Sequence, residues 1–451
     1  MNKREFLAMG GAVPLMLAGC GGSGSGSAPV RLVNASVGYP ALGFMVESTQ
    51  ATTADVAYGA TSPYENVQAG SVGITLTVGG ASATTAQTRT INKDQRYSLV
   101  AYGYENELKP LLIAESNTTP DAGKANVNVL NTSVDIGAVD VYLSATKDLS
   151  VSTLIVSSST GVTQSAFSGV LAGSYYVTVV GAGSIARGIS DVRFQTPAPI
   201  TLTALQVLTI ILTPGASGIL ANAIMLTQGT TGTAVSYLNT TARVRAVTAV
   251  PGLAASVVGA TSAGTAVTLL SSNTTQQYSK YFVVSTGTPP TVTVNGAAIP
   301  VVMNSTNATT GVTTEVAATL LAGGDYTLMV YLDGSNNPKA KVIEDNNTAP
   351  ITSSGVKFRL INLASDNQAL QLSMSINKAS VASNVAYGTA SDYQEISVPQ
   401  GTASTVDILN GARTLKTYSS VLTLPNIFTE IVVSVPASGD VLDFFSTSSG
   451  S

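Results

Sequence analysis

Two kinds of apolar pattern run along the chain. The first is one unbroken segment, Phe6 to Ala18, set between the basic start Lys3-Arg4 and a Gly/Ser-rich tract beginning at Gly21. The second is alternation. Val72, Ile74, Leu76 and Val78 are separated by Gly73, Thr75 and Thr77, the period of a strand that buries one face. Leu205 to Leu212 is the most apolar stretch beyond residue 20, and its length and the following Pro214 predict a central strand rather than a membrane span. A single sheet cannot cover the buried faces of such strands, so the pattern predicts pairs of packed sheets, each pair a sandwich of about 100 residues.

The pattern also repeats. Val56-Ala57-Tyr58-Gly59, with Tyr64 six residues beyond Tyr58, returns as Val385-Ala386-Tyr387-Gly388 with Tyr393 at the same spacing. Similar strands precede both, Arg31 to Ser36 and Arg359 to Ser365, and similar strands entering a glycine turn follow, Ile74 to Gly80 and Val406 to Gly411. Tyr97 and Phe428 stand at matching distances beyond those turns. A third copy shares another part of the pattern: Tyr97 to Tyr102 parallels Tyr326 to Tyr331, and Glu115 and Glu344 each follow their tyrosine at equal distance. That copy begins near Arg243-Val244-Arg245 and carries Asn295-Gly296, a type I′ hairpin signal. The second copy opens at Val127 and runs through Ser133 to Tyr142. Aligning Asn34, Asn131, Thr248 and Asn362 gives a repeat of roughly 100 to 115 residues, in keeping with ordinary domain size.

Composition agrees with strands and narrows the chemistry. Charged residues make up 10% of the chain, against about 25% in ordinary soluble proteins. Valine and threonine suit a pleated sheet, and 42 glycines and 18 prolines supply turns, so almost no long helix is expected. The net charge of −4 comes with no dense basic run, which speaks against a nucleic-acid partner. Histidine is absent, so Ser-His-Asp and Cys-His catalysis and His-ligated metal are excluded. No phosphate-cradling loop is present either, and Gly181 and Gly183 are read as turn residues between strands.

Cys20 is the only cysteine, directly after Leu17-Ala18-Gly19. Basic start, apolar run and small residues form a secretory signal. The Leu-Ala-Gly-Cys string resembles the lipobox of bacterial lipoproteins, which implies cleavage before Cys20 and acylation (palmitate among the acyl groups) of its thiol. As a helix, Phe6 to Ala18 would rise only about 20 Å, too short for a hydrocarbon core of about 30 Å. Lys3-Arg4-Glu5-Phe6-Leu7 resembles a twin-arginine signal with lysine in the first place, and Sec export is the expected route. Gly21-Gly22 after the cysteine, in place of an inner-membrane retention acid, points to the outer membrane of a two-membrane cell. With Cys20 acylated, no intrachain disulfide is available.

At the repeated segments the chain resembles the bacterial domain of unknown function DUF4397. Its opening strand ending in Asn-x-Ser corresponds to Asn34 to Ser36, its Asp-x-x-Ala-Val-Asp-Val-Tyr segment to Asp135 to Tyr142, and its Val-Ala-Phe/Tyr-Gly segment to Val56 to Gly59 and Val385 to Gly388. Its Ala-Gly-x-Tyr turns are similar to Ala172 to Tyr175 and Ala322 to Tyr326. No single copy shows every part. The resemblance implies a β-sandwich-like domain and brings no reaction, cofactor or catalytic residue.

Three weaker constellations remain. Glu115 and Glu344 are the acidic residues singled out by repetition and are the candidates for a facing carboxylate pair of the glycosidase type, against a plainer reading as strand-end residues. Asp333-Gly334-Ser335-Asn336-Asn337 places oxygens at alternate positions as a calcium loop would, but lacks the rest of that loop and reads as a solvated turn. Tyr58, Tyr97, Tyr102 and Tyr104 are candidates for a sugar-stacking platform, or for packing at a core rim. Asn273 and Asn304, in Asn-x-Ser/Thr strings, read as turn and strand-edge residues.

The expected architecture is all-β: a signal peptide over 1–19, a linker over 20–29, and about four antiparallel sandwich domains, immunoglobulin-like or transthyretin-like, over 30–119, 120–229, 230–350 and 351–451. The expected function is non-enzymatic, a lipid-anchored envelope spacer, scaffold or adhesin-like module without cofactor or metal. The alternative is an envelope binding module for a glycan or peptide. Membrane contact is expected through the lipid on Cys20, with an envelope glycan or protein as a further partner.

Overall fold

The structure, a computed structural model, describes residues 26–133, 135–183, 191–229, 233–249, 253–258, 266–270, 277–285, 298–307, 313–335, 338–352, 354–422, 426–435 and 443–448. Cys20, the signal segment, Asn273, Asn295-Gly296 and Asn336-Asn337 lie outside the described residues. The expected all-β class is borne out: the described elements are strands, with one 3-10 turn at Leu149–Val151. Among the described residues eight sheets pair off in chain order into four sandwiches.

Each sandwich is built the same way. An opening strand, Ser27–Asn34, Lys124–Asn131, Thr241–Thr248 or Gly355–Asn362, lies at the centre of one sheet. This sheet is termed the joint sheet, for reasons given below. The chain then crosses to an outer sheet and returns, and the returning strand pairs beside the opening strand in parallel: Tyr97–Tyr102, Val207–Pro214, Asp325–Leu332 and Asn426–Ser434. The expected sandwiches are therefore antiparallel apart from one pairing each. That pairing is parallel because the connection between its two strands visits the outer sheet twice, by way of another strand of the joint sheet, rather than making a tight turn.

Alternation places the cores. In Gly70–Val78 the side chains of Val72, Ile74 and Leu76 enter the first sandwich with Phe44 and Leu99, while Val78 at the strand end is exposed. Val207–Pro214 is central in its sheet and buried almost throughout, as its apolar sequence predicts, and the strand begins two residues after Leu205. Comparable cores fill the second, third and fourth sandwiches around Ile210, Leu328 and Met374. Asn34, Asn131 and Asn362 end their opening strands alike. Each Oδ1 accepts the backbone N–H two residues on, and each Nδ2 donates to one loop carbonyl and one carbonyl at a strand end. Thr248 holds the corresponding place in the third copy.

The joint sheets are apolar on both faces, and their second faces meet. Val33, Val100 and Ile113 of the first sandwich pack on Leu130, Ile211 and Ile224 of the second. Val247 and Met329 of the third pack on Ile361, Ile431 and Val433 of the fourth. The sandwiches thus form two side-by-side couples, first with second and third with fourth. The couples meet end to end. The 215–220 loop of the second sandwich reaches the third, where Ser217 Oγ accepts from Asp325 N at 2.8 Å and Ser217 O accepts from Asn347 N at 2.8 Å.

Candidate functional site

Several of the residues singled out by repetition, Arg31, Tyr58, Tyr64, Glu115, Arg245, Arg359, Tyr387 and Tyr393, lie at the two joints. In the first, Arg31 lies on the opening strand opposite Ser98, fully buried. Its guanidinium donates to Ser98 Oγ at 3.0 Å, to Glu115 Oε1 at 2.8 Å and, across the joint, to Thr227 O at 2.9 Å. The ring of Tyr64 lies 4.9 Å from the guanidinium carbon, and its hydroxyl donates to Glu115 at 2.7 Å. Glu115 also accepts Gly229 N of the second sandwich at 3.0 Å. Burial and the adjoining Glu115 carboxylate push the Tyr64 phenol well above its usual range. Such a buried pair holds only because every charge is matched by partners of good geometry.

The second joint repeats this arrangement with more charge. Arg245 lies opposite Thr327, and Asp345 accepts from Thr327 Oγ1 at 2.6 Å and from the Tyr281 hydroxyl. Arg245 of the third sandwich and Arg359 of the fourth share the Asp345 carboxylate, Arg245 Nε at 3.5 Å. Tyr281 stacks on Arg245 at 4.8 Å and on Arg243 at 4.5 Å, and Tyr393 stacks on Arg359 at 4.5 Å. Arg243 forms a two-pronged pair with Asp325. Burial alone would raise the Asp345 carboxyl, but Arg359 and Arg245 hold it below the ordinary carboxylate range.

Glu344 is not part of this cluster. Its side chain is exposed, and only its backbone oxygen takes part, accepting from Arg359 Nη1 at 3.0 Å. The strand register gives the reason: Ala114 pairs with Tyr97, but Glu344 pairs with Tyr326, so the structural equivalent of Glu115 is Asp345. The sequence alignment is one residue out there. Glu115, bound by Arg31, Ser98, Tyr64 and Gly229, and Glu344, exposed in the third sandwich, do not form a facing pair.

The tyrosines divide by role. Tyr97 and Tyr326 close matching corners, their hydroxyls accepting the backbone N–H five residues earlier at 3.0 and 2.9 Å. Phe428, in the corresponding place of the fourth sandwich, lacks a hydroxyl and stacks on Phe358 at 5.0 Å. Tyr58 and Tyr387 cross the joints, Tyr58 to Thr213 Oγ1 at 2.8 Å and Tyr387 to Leu332 O at 2.6 Å. The glycines after them lie against the partner sandwich: a Cβ on Gly59 would come 2.4 Å from Ser236 Cβ, and one on Gly388 would come 2.8 Å from the Tyr331 ring. Tyr102 packs into the first joint core, and Tyr104 donates to Asp135 of the second sandwich. Of the four candidates for a sugar platform, three therefore face the neighbouring sandwich and one is a buried corner.

Asp135 links the couples. Besides Tyr104 it accepts from Ala349 N, in the segment leading to the fourth sandwich. Burial raises its carboxyl despite these donors. Lys357 stands nearby, its ammonium donating to oxygens of Asn346 and Thr348 at 2.9 to 3.1 Å; burial draws it down to about 8 while Asp135 and Glu395 act the other way. In the 333–335 segment, Asp333 Oδ1 accepts Ser335 N, a local turn, and Asp333 Oδ2 lies 3.6 Å from the Lys339 ammonium. Among the described residues no group of three acidic, histidine or cysteine side chains is arranged to hold a metal. One open depression of about 220 Å³ is lined by Thr53 to Ala57 and Ala60 to Pro63. Its one carboxylate, Asp55, accepts Gly79 N at 2.8 Å. It is smaller than ordinary ligand pockets and presents no converging polar set.

Arg31, Glu115 and the crossing tyrosines were legible as repeated letters. Tyr281 and Asp345 were not, because the signal for each is its place in a ladder rather than its spacing. No curated protein matches the chain. Residues 28–142 match the family described as Domain of unknown function (DUF4397), a match that begins in the first opening strand and ends in the outer strand Val139–Ser144 of the second sandwich.

Proposed function

We propose that the protein is a lipid-anchored envelope component with a structural rather than enzymatic role, a stiff spacer or scaffold held to the outer membrane through Cys20. The observation that carries this reading is the use made of the repeated residues. In a binding or catalytic array, repetition preserves a surface. Here Arg31, Tyr58, Glu115, Arg359 and Tyr387 turn inward to join one sandwich to the next. The signal-like start and Leu17-Ala18-Gly19-Cys20 supply the address.

Mass spectrometry of the membrane fraction tests the anchor. The expected result is an N-terminal peptide beginning at an acylated Cys20. An unprocessed Met1 on a soluble product would overturn it. Protease shaving of intact cells then separates a periplasmic from an exterior position.

A further inference from the structure

We propose that the lower end of the second sandwich is a lipid-contacting foot that seats the anchored molecule on the bilayer. Opening strands of the first and second sandwiches run in the same direction. Arg31 meets Thr227, which pairs with Leu208 early in Val207–Pro214, and Tyr58, beside the end of the first opening strand, meets Thr213 near that strand's end. Gly26, just before the first opening strand, and Lys124, where the second opening strand begins, therefore lie at the same end of the couple. The third and fourth sandwiches stack on the opposite end, through Ser217 and Asp135.

That end carries apolar side chains that the other described residues leave exposed. Leu171 pairs opposite Lys124, and Leu205 donates its N–H to Lys124 O at 2.7 Å, so the two leucines flank one residue. Val151 stands on the neighbouring turn, where the outer sheet reverses at the same end, and Leu154 at the start of the strand that leaves it. Their exposures are 65% for Leu171, 54% for Leu205, 47% for Leu154 and 67% for Val151. Leu205 holds a φ of +66°, a conformation a leucine adopts at a cost and which projects it from the turn tip. Charges around this end alternate in sign, Lys93 with Asp94, Lys124 with Asp121 and Lys147 with Asp148, so attraction to anionic lipid is not its driving force. The occupant this chemistry fits is the interfacial zone of a bilayer, where leucine side chains enter the headgroup and acyl boundary.

Tether length adds an independent reason. Six residue steps separate Cys20 from Gly26, a fully extended reach of at most about 21 Å. An acylated Cys20 thus holds this end of the couple within that distance of the membrane. The proposal rests on the anchoring reading in this respect, and the experiment separates the two.

The full mature chain carrying Cys20→Ser and an N-terminal hexahistidine is tethered to phosphatidylcholine vesicles through a nickel-chelating lipid. Single cysteines at Leu171→Cys, Leu205→Cys and, as control on the far couple, Val421→Cys carry an environment-sensitive fluorophore. Expected are a blue shift and quenching by acyl-chain-labelled lipid at 171 and 205 upon tethering, neither at 421, and no change on raising salt. Water-like emission at 171 and 205 on tethered protein would overturn the foot, even where mass spectrometry finds Cys20 acylated. Emission already blue-shifted without vesicles, and concentration-dependent, would assign the face to a second copy and overturn it equally. A lipid-dependent shift beside a non-acylated native Cys20 would support the foot while removing the anchor.

Discussion

At the residue scale the most informative contrast is between Glu115 and Glu344, which look alike in sequence. Glu115 lies buried against Arg31, whereas the Glu344 carboxylate is solvent-exposed. Replacing Glu115 by Gln leaves a buried guanidinium short of its counter-charge, with an expected loss of about 3–5 kcal/mol. Glu344→Gln should stay within about 0.5 kcal/mol. Denaturant unfolding of both variants checks this. Asp345 gives a pH dependence with a defined sign. Its folded carboxyl lies below the ordinary value of about 3.9, so its contribution is present above that pH and is lost as pH falls through the folded value. Asp345→Asn removes the contribution at neutral pH. The stability gap between wild type and variant should therefore be large at pH 7 and shrink below pH 4, measured by hydrogen exchange of the strand Asp325–Leu332. Asp135, raised by burial, acts with the opposite sign at the contact between couples.

At the element scale, the Val-Ala-Tyr-Gly segment becomes intelligible as a docking edge. Its tyrosine supplies one hydrogen bond across the joint and its glycine permits close approach, with φ of +76° at Gly59 and +69° at Gly388. Tyr58→Phe or Tyr387→Phe should each cost about 0.5–1.5 kcal/mol, the net worth of one hydrogen bond. Gly59→Ala and Gly388→Ala combine left-handed strain with a clash into Ser236 or Tyr331, and each should lose more than its tyrosine counterpart. Thermal unfolding of the four variants orders them. The middle sandwiches are the ones approached by these segments, receiving them at Thr213, Ser236, Tyr331 and Leu332, which accounts for the absence of a clear copy there.

At the scale of the whole molecule, the unit of stability is expected to be the couple. A first sandwich alone, residues 26–119, would bare Val33, Val100 and Ile113, whereas residues 26–239, which include the strand Ala234–Tyr237 of the second sandwich, bury them against Leu130, Ile211 and Ile224. The shorter chain should bind a hydrophobic dye and unfold at lower denaturant, and the longer one should unfold in one transition without binding dye. Limited proteolysis of the intact protein should accordingly yield couple-sized pieces before single sandwiches. With a single cysteine in the chain and hence no intrachain disulfide, the couple's cohesion comes from apolar burial and matched ion pairs. Both are built into the joints.

The sequence by itself determined the strands and the burial of Val207–Pro214, because period-two alternation and glycine turns act locally. It also marked Arg31, Tyr58 and Glu115 as special. Their purpose was decided by tertiary structure alone. A face of the opening strand reads equally apolar whether it meets its own outer sheet or a neighbouring sandwich, and only the register shows that Asp345 rather than Glu344 completes the second joint. The direction of the strands across the first joint, which brings Leu171 and Leu205 to the same end as Gly26, is likewise a property of packing between distant segments, written in no single stretch of the chain.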